Sequence, residues 1–357
     1  MARYDRVKDC CIAGPRERFN ASVDLDGANE LWRAVASKSW QDVRIPIDPF
    51  AARVTIYNSK HHKDGDLPLP VAIASGAPET LVLALLRAYP MGASVRWERA
   101  DCTALPLHLA IMKSASPSLI GAILEAYPEA AREWSKTRMG GNSMEHDLPL
   151  HLAIMKSASP SLIGAILEAY PKAAREWRNN DLPLHLYMKN KSMIIRASVQ
   201  ASLEANHEVA YERIAQALLQ QWPPAAHQFY VGALPLHWAL VHRMSDAFVQ
   251  ALLQEYPHAA QVRAYDISEA YGEEPNHFHI WSMNVPPPQP QWKIAHLGGD
   301  LTPLGLALLS KRGEAIIWQV FEAFPEACDP STILCALSQG RTRCLLSAFL
   351  HACPALL

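Results

Sequence analysis

The sequence predicts an all-α fold, an α-solenoid of stacked helix-turn-helix units, and three observations carry that prediction. Residues 105–131 (LPLHLAIMKSASPSLIGAILEAYPEAA) recur forty-three positions later at 148–174 with one change, Glu129 becoming Lys172. The identity runs on through Arg-Glu-Trp at 132–134 and 175–177. Weaker copies hold the same frame of twenty-seven residues at 67–93, 234–260, 302–328 and, most degenerate, 331–357, while a copy at 182–226 carries eighteen extra residues between its halves. A proline stands near the end of the frame all seven times: Pro90, Pro128, Pro171, Pro223, Pro257, Pro325 and Pro354. In-register repetition at this period marks an array of small units.

Within the 105–131 copy, Leu105-Pro106 opens a helix, because proline fits a first turn whose N–H has no intrahelical partner. Leu107, Ala110 and Ile111 follow with the i, i+3, i+4 spacing of one buried face. Ser114-Ala115-Ser116-Pro117 breaks that pattern, with Ser116 an expected N-cap for a second helix. Leu119, Ile120, Ile123 and Leu124 form the second stripe, and Tyr127-Pro128 ends it, since a residue before proline is driven out of helical geometry. Helices of about ten residues are too short to persist alone in water, so each hairpin must bury its face on the next. Alanine holds the Ala110 position in six of seven copies, with Tyr187 the exception, and a small side chain there lets helices approach closely. The aromatic before the closing proline (Tyr89, Tyr127, Tyr170, Trp222, Tyr256, Phe324) is expected in the core.

Leu-Pro-Leu-His-Leu-Ala resembles the Thr-Pro-Leu-His-x-Ala opening of an ankyrin repeat, and a unit of twenty-seven plus the common seven-residue spacer is 34, close to that family's 33. The combination with Ala-Tyr-Pro-Glu-Ala-Ala resembles a divergent ankyrin-like set found in algal and oomycete proteins. Leucine replaces the opening threonine, Tyr-Pro-x-Ala-Ala replaces the helix-ending Gly-Ala, and spacers run from two residues to forty-one. Not every spacer is therefore expected to form the family's β-hairpin finger. The resemblance implies a non-catalytic scaffold presenting a concave surface to a protein partner.

Composition excludes several alternatives. Half the residues are hydrophobic and 19% charged, a globular balance. Thirty-three Lys and Arg against 35 Asp and Glu give a net charge of −2, which makes nucleic acid an unexpected partner. No apolar run is long enough to span a membrane. Seven cysteines without CxxC spacing read as thiols in a reducing, intracellular compartment, cytoplasmic or nuclear. A monomer is expected.

In chain order, residues 1–25 read as a polar tail and 28–53 as a degenerate N-terminal cap, with Leu31 and Ala34 in the places of Leu107 and Ala110. The array occupies 26–357. Spacer 132–147, with Gly140-Gly141-Asn142, reads as a mobile loop, and the insert at 191–208 as a prolongation of the fifth unit's helices. The longest interruption, 261–301, contains Pro286-Pro287-Pro288-Gln289-Pro290 and His277-Phe278-His279. Such a length is disordered or functional. The last unit, entered through a two-residue spacer, is expected to seal the C-terminal end.

Candidate functional residues are few. His108, His151, His185 and His237 recur at one position, inviting a metal reading. Helices pack roughly 10 Å apart, whereas zinc–nitrogen bonds are near 2.0–2.1 Å, so successive histidines cannot share one ion. The resemblance implies instead that each ties its unit to neighbouring loop backbone. Asp266, Glu269, His277, His279 and His296 form no telling ligand set, and no phosphate loop or nucleophile motif is present. No catalytic residue, cofactor or metal is expected. Cys335, Cys344 and Cys353 are expected as core thiols. By repeat position, Lys113, Lys156, Arg132, Arg175, Trp134 and Trp177 are the candidate partner-contacting residues. Lysines on a solvated face and tryptophans packed between loops would give the same pattern. The alternatives are a helical-repeat RNA binder, which would need base-reading pairs and a basic groove, and a metal-dependent enzyme within 261–301.

Overall fold

The computed structural model describes residues 25–43, 45–53, 66–99, 102–137, 145–179, 181–191, 207–230, 232–264, 302–328, 332–333, 336–337 and 340–352. Gly140-Gly141-Asn142, the insert from 192 to 206, the spacer from 265 to 301 with its histidines and prolines, and Cys335 and Cys353 lie outside the described residues. The chain divides into two compact units, Met1–Ala173 and Ala174–Leu357.

In the first unit, helices α1 (Leu25–Ser37), α3 (Pro68–Ser75), α5 (Pro106–Met112) and α7 (Pro149–Met155) pack one on the next. A second layer, α2 (Pro49–Arg53), α4 (Glu79–Ala88), α6 (Pro117–Ala126) and α8 (Pro160–Ala169), packs in the same succession. Each opening proline sits at a first helical turn, where its missing donor is harmless. Ser116 Oγ accepts from the Leu119 N–H at 3.2 Å and Ser159 Oγ from the Leu162 N–H at 3.4 Å. The stripes Leu119, Ile120, Ile123, Leu124 and their twins Leu162, Ile163, Ile166, Leu167 are buried, and Ala110 and Ala153 are fully enclosed.

The fold is not all-α. Strands β1 (Trp97–Arg99), β2 (Cys102–Ala104), β3 (Ser135–Thr137) and β4 (Glu145–Asp147) form one antiparallel sheet in sequence order. The register places Trp97 opposite Ala104, Cys102 opposite Thr137, and Ser135 opposite Asp147. The 132–147 spacer, expected as a loop, thus pairs its two ends as a hairpin, which pairs in turn with the preceding one. Ser135, Thr137 and Asp147 are buried, and Ser135 Oγ donates to the Asp147 carbonyl at 3.0 Å.

In the second unit, α9 (Pro183–Lys189), α11 (Pro235–Val241) and α13 (Pro303–Leu309) pack in succession. Beside them lie α10 (His207–Gln221), α12 (Asp246–Glu255), α14 (Glu314–Ala323) and α15 (Arg343–Ala352). Helix α10, next to the insert, has fifteen residues where α12 and α14 have ten. The seven-residue spacers shrink to single bridges, Arg178 with Asp181 and Tyr230 with Ala233. Tyr187, the exception to the alanine rule, stacks on Tyr211 with ring centroids 4.4 Å apart, and Tyr211 Oη donates to the Tyr187 carbonyl at 2.8 Å. Among the described residues the buried Tyr187 hydroxyl has no hydrogen-bond partner. Tyr187→Phe should therefore raise stability by about 1 kcal/mol, read as a higher urea midpoint at unchanged slope.

Two features departed from expectation throughout. After each closing proline among the described residues the chain makes one 3₁₀ turn; the typical one, Pro128–Arg132, buries Ala130 and Ala131 and leaves the preceding aromatic half-exposed. Tyr89, Tyr127, Tyr170, Trp222, Tyr256 and Phe324 are all only half-buried, so this aromatic is not a core residue. The second feature is the turn between helices. Ser114, Ser157, Arg243 and Lys311 hold positive φ (53°, 53°, 52° and 54°), the place taken by Gly76 and Gly340 in other copies. There the Ser114 N–H reaches the Ile111 carbonyl and the Ala115 N–H the Ala110 carbonyl, each at 3.0 Å, the paired bonds of a Schellman ending. A side chain in that conformation costs about 1 kcal/mol. Ser114→Gly and Ser157→Gly should each raise stability by about 0.5 kcal/mol after glycine's greater chain entropy is deducted, measurable by chemical denaturation.

At the C-terminal end, α15 buries Leu345 and Phe349 but leaves Leu350 exposed, as is Leu337 before it. Cys344 is exposed rather than a core thiol.

Candidate functional site

At His108 and His237 the recurrent histidine is a tie within the fold. His108 Nδ1 accepts the Leu105 N–H at 3.3 Å, and His108 Nε2 lies 2.9 Å from the Glu133 carbonyl. His237 repeats this with the Leu234 N–H at 3.0 Å and the Val262 carbonyl at 2.9 Å. Because Nδ1 accepts, Nε2 carries the proton and donates. Each of these two rings therefore joins the start of its own first helix to the chain that follows its second helix, whereas at His185 both buried ring nitrogens have no hydrogen-bond partner among the described residues. Leucine at the cap cannot accept from the N3 amide, so the histidine supplies one half of a capping box. Where threonine opens the unit, the other half appears: Thr302 Oγ1 accepts the Gly305 N–H at 3.1 Å, and glycine stands where histidine would. Burial lowers the His108 and His237 pKa values to about 4. His185, stacked on Tyr230 at 5.7 Å, and His242 are lowered to about 4 by burial as well. Among the described residues no three His, Cys, Asp or Glu side chains converge on a metal position.

The four candidate contact residues of the first unit occupy two separate edges. Arg132 is exposed at the end of its 3₁₀ turn, and Trp134 follows, half-buried, its ring 5.9 Å from that of His151. The Trp134 carbonyl accepts from Arg96 Nη1 at 2.9 Å while Arg96 Nη2 pairs with Glu133 at 2.5 Å. Lys113 and Lys156 instead cap the far ends of α5 and α7, one exposed and one half-buried. A seven-residue helix, about 10 Å long, separates each lysine from the start of its unit. Within the first unit, then, lysines and tryptophan do not form one patch. Trp134 and Lys156 also make intramolecular contacts.

In the second unit Arg175 is exposed, its Nε 3.7 Å from Glu176, and Trp177 is 47% exposed. The twin tryptophans therefore differ in surroundings, and their sequences part directly after them, Ser135-Lys136 following Trp134 and Arg178-Asn179 following Trp177. Phe229, at the Trp177 position of the next spacer, is 51% exposed and was missed from the sequence. The aligned frame shows it once the insert is discounted, since Phe229 stands six residues past Pro223 as Trp177 does past Pro171. Beside it Lys189 Nζ donates to the Tyr230 hydroxyl at 2.7 Å and lies 5.3 Å from that ring's centroid. The sheet of the first unit presents Glu98, Lys136 and His146 outward across neighbouring strands, a mixed-charge surface.

No family model matches the chain, and no curated protein matches it. Among solved structures the chain is similar to the ankyrin repeat domain of Bcl-3, described as a unique member of the IkappaB protein family, at 17% identity. That match covers 72% of this chain and 99% of the other with a TM-score of 0.29. So loose a superposition fixes no architecture. The reading of the fold rests on the hairpins, turns and histidine ties themselves. Among the described residues no helix is long and apolar enough to cross a membrane.

Proposed function

We propose that the chain is a non-catalytic scaffold, an ankyrin-like solenoid whose spacers present contact residues to a protein partner. The observation that carries this reading is the exposed aromatic pair of the second unit, Trp177 and Phe229, held at one repeat position in successive spacers. Successive packed helices lie roughly 10 Å apart, so the pair forms a spaced set of anchors. Exposed large aromatics of this kind dominate binding energy where they are buried by a partner. Stacked hairpins order them before encounter, which reduces the entropy lost on binding. Arg175 belongs to the same edge, with Arg132 and Trp134 as its counterparts by repeat position in the first unit, where Lys113 and Lys156 contribute from the other end of the hairpins. The protein acts as a monomer inside the cell.

The test is affinity capture on the full chain compared with Trp177→Ala/Phe229→Ala, with retained proteins identified by mass spectrometry. A partner held by the parent and lost by the double variant, at equal thermal stability, supports the scaffold reading. Identical capture by both removes this edge as the contact surface.

A further inference from the structure

Three cations of the second unit stand where local physics favours other residues. Arg243 and Lys311 hold the positive-φ position that Gly76 and Gly340 occupy elsewhere in the chain, and only glycine takes that conformation without strain. Arg343 begins α15 at the position where α4, α12 and α14 begin with Glu79, Asp246 and Glu314. A cation there faces the positive end of the helix dipole, which an acid would complement. All three side chains are exposed.

They also lie on neighbouring turns. Arg243 Nε donates to the Ser310 carbonyl at 2.9 Å, the residue before Lys311. The Thr342 N–H donates to Glu314 Oε1 at 3.0 Å, joining the residue before Arg343 to the first residue of α14. Meanwhile the carboxylates of this rim are engaged. Glu212 Oε1 accepts the Ser245 N–H at 2.5 Å, Asp246 pairs with Arg312 at 3.1 Å, and Glu314 holds Thr342. The side chains of Lys311 and Arg343 have no partner among the described residues. Lys311 and Arg343 each break a local preference without a compensating contact, and Arg243 is held beside Lys311 by its bond to Ser310; violations of this kind mark a surface kept for binding.

We infer that this rim, Arg243 with Lys311 and Arg343, docks an acidic segment of a partner protein. The inference rests on the scaffold reading and names the chemistry of the partner. Turns on packed helices are spaced roughly 10 Å apart. An extended polyproline II peptide advances about 9.3 Å in three residues, so a carboxylate at every third position meets one cation per turn. A nucleic-acid strand places a phosphate about every 3.4 Å of rise, a poorer match for three sparse cations on a chain of net charge −2.

The experiment titrates the full chain with a fluorescein-labelled peptide of repeating Glu-Pro-Pro triplets at low salt. The parent should bind it, and Lys311→Glu/Arg343→Glu should weaken binding about tenfold, as expected for reversal of two exposed charges. Reversal of Arg87 and Lys136 to Glu in the first unit should leave the affinity unchanged. Absence of binding to the parent, equal weakening by the first-unit reversals, or tighter binding of a poly-uridine oligonucleotide than of the peptide would each overturn the inference. Partner capture separates it from the reading on which it rests: if Lys311→Glu/Arg343→Glu retains a partner that Trp177→Ala/Phe229→Ala loses, the rim fails while the scaffold stands.

Discussion

Lowering the pH from 6.5 toward 4 should unfold this protein steeply, and the buried histidines set both the direction and the window. His108, His185, His237 and His242 have pKa values lowered from 6.5 to about 4 by burial, so the fold holds them neutral. The unfolded chain binds a proton at each below pH 6.5 while the folded chain does not. Stability is therefore complete above 6.5, falls as pH drops through the window, and levels off below about 4. Each histidine contributes a slope of up to about 1.4 kcal/mol per pH unit and a total near 3 kcal/mol. Four together approach the whole stability of an ordinary domain, about 5–15 kcal/mol, so unfolding should occur inside the window rather than at its lower edge. Urea titrations at a series of pH values measure this directly. A denaturation free energy that stays flat between pH 6.5 and 5 would show that these rings are not held neutral. His237→Gln should lower stability at neutral pH, because the Leu234 N–H and the Val262 carbonyl lose their partner. It should also remove one proton's worth of the slope.

Histidine 237 illustrates how much of this molecule could be read in advance. Its recurrence fixed its place at the third helical position, and its spacing excluded a shared ion. Helix openings at Pro106 and Pro149, the caps at Ser116 and Ser159 and the apolar stripes followed from spacing alone, because such local signals lie within one turn of helix. The sheet was hidden because each strand has three residues, too few for an alternating pattern to declare itself. The burial of Tyr127 was misjudged because it depends on the 3₁₀ turn after Pro128, which tucks Ala130 and Ala131 inward and leaves the ring at the edge. Ser114 gave no sign of its left-handed geometry, since glycine marks that turn in only two copies, at Gly76 and Gly340. Among the candidate contact residues, Lys113 and Trp134 were grouped by repeat position, yet α5 and α6 run in opposite directions and carry them to opposite ends of the hairpin.

Excising residues 105–147 should leave a folded chain one hairpin shorter. The cut joins Ala104 to Leu148, so α7 takes the seat of α5. Every residue of α5 that packs on α3 has its identical counterpart in α7, and every residue of α6 facing α4 has its counterpart in α8. Strand β2 leads into Leu105 in the parent and would lead into Leu148 in the same way, keeping its pairing with β1. Stability should fall by one hairpin and one interface, several kcal/mol in a nearest-neighbour array. The denaturant slope, which scales with surface exposed, should fall by roughly one eighth. A comparable cut at 67–104 removes α3 and α4, whose sequences no other hairpin duplicates, and should destroy cooperative unfolding. The same identity allows the parent to refold with α7 seated on α3, a misregistered species that the shortened chain cannot form. Refolding in the parent should therefore give a slow or self-associated fraction that is absent after excision, visible by size-exclusion chromatography across a concentration series. If the shortened chain unfolds without a cooperative transition, the twins are not interchangeable, and the array does not grow by addition of equivalent hairpins.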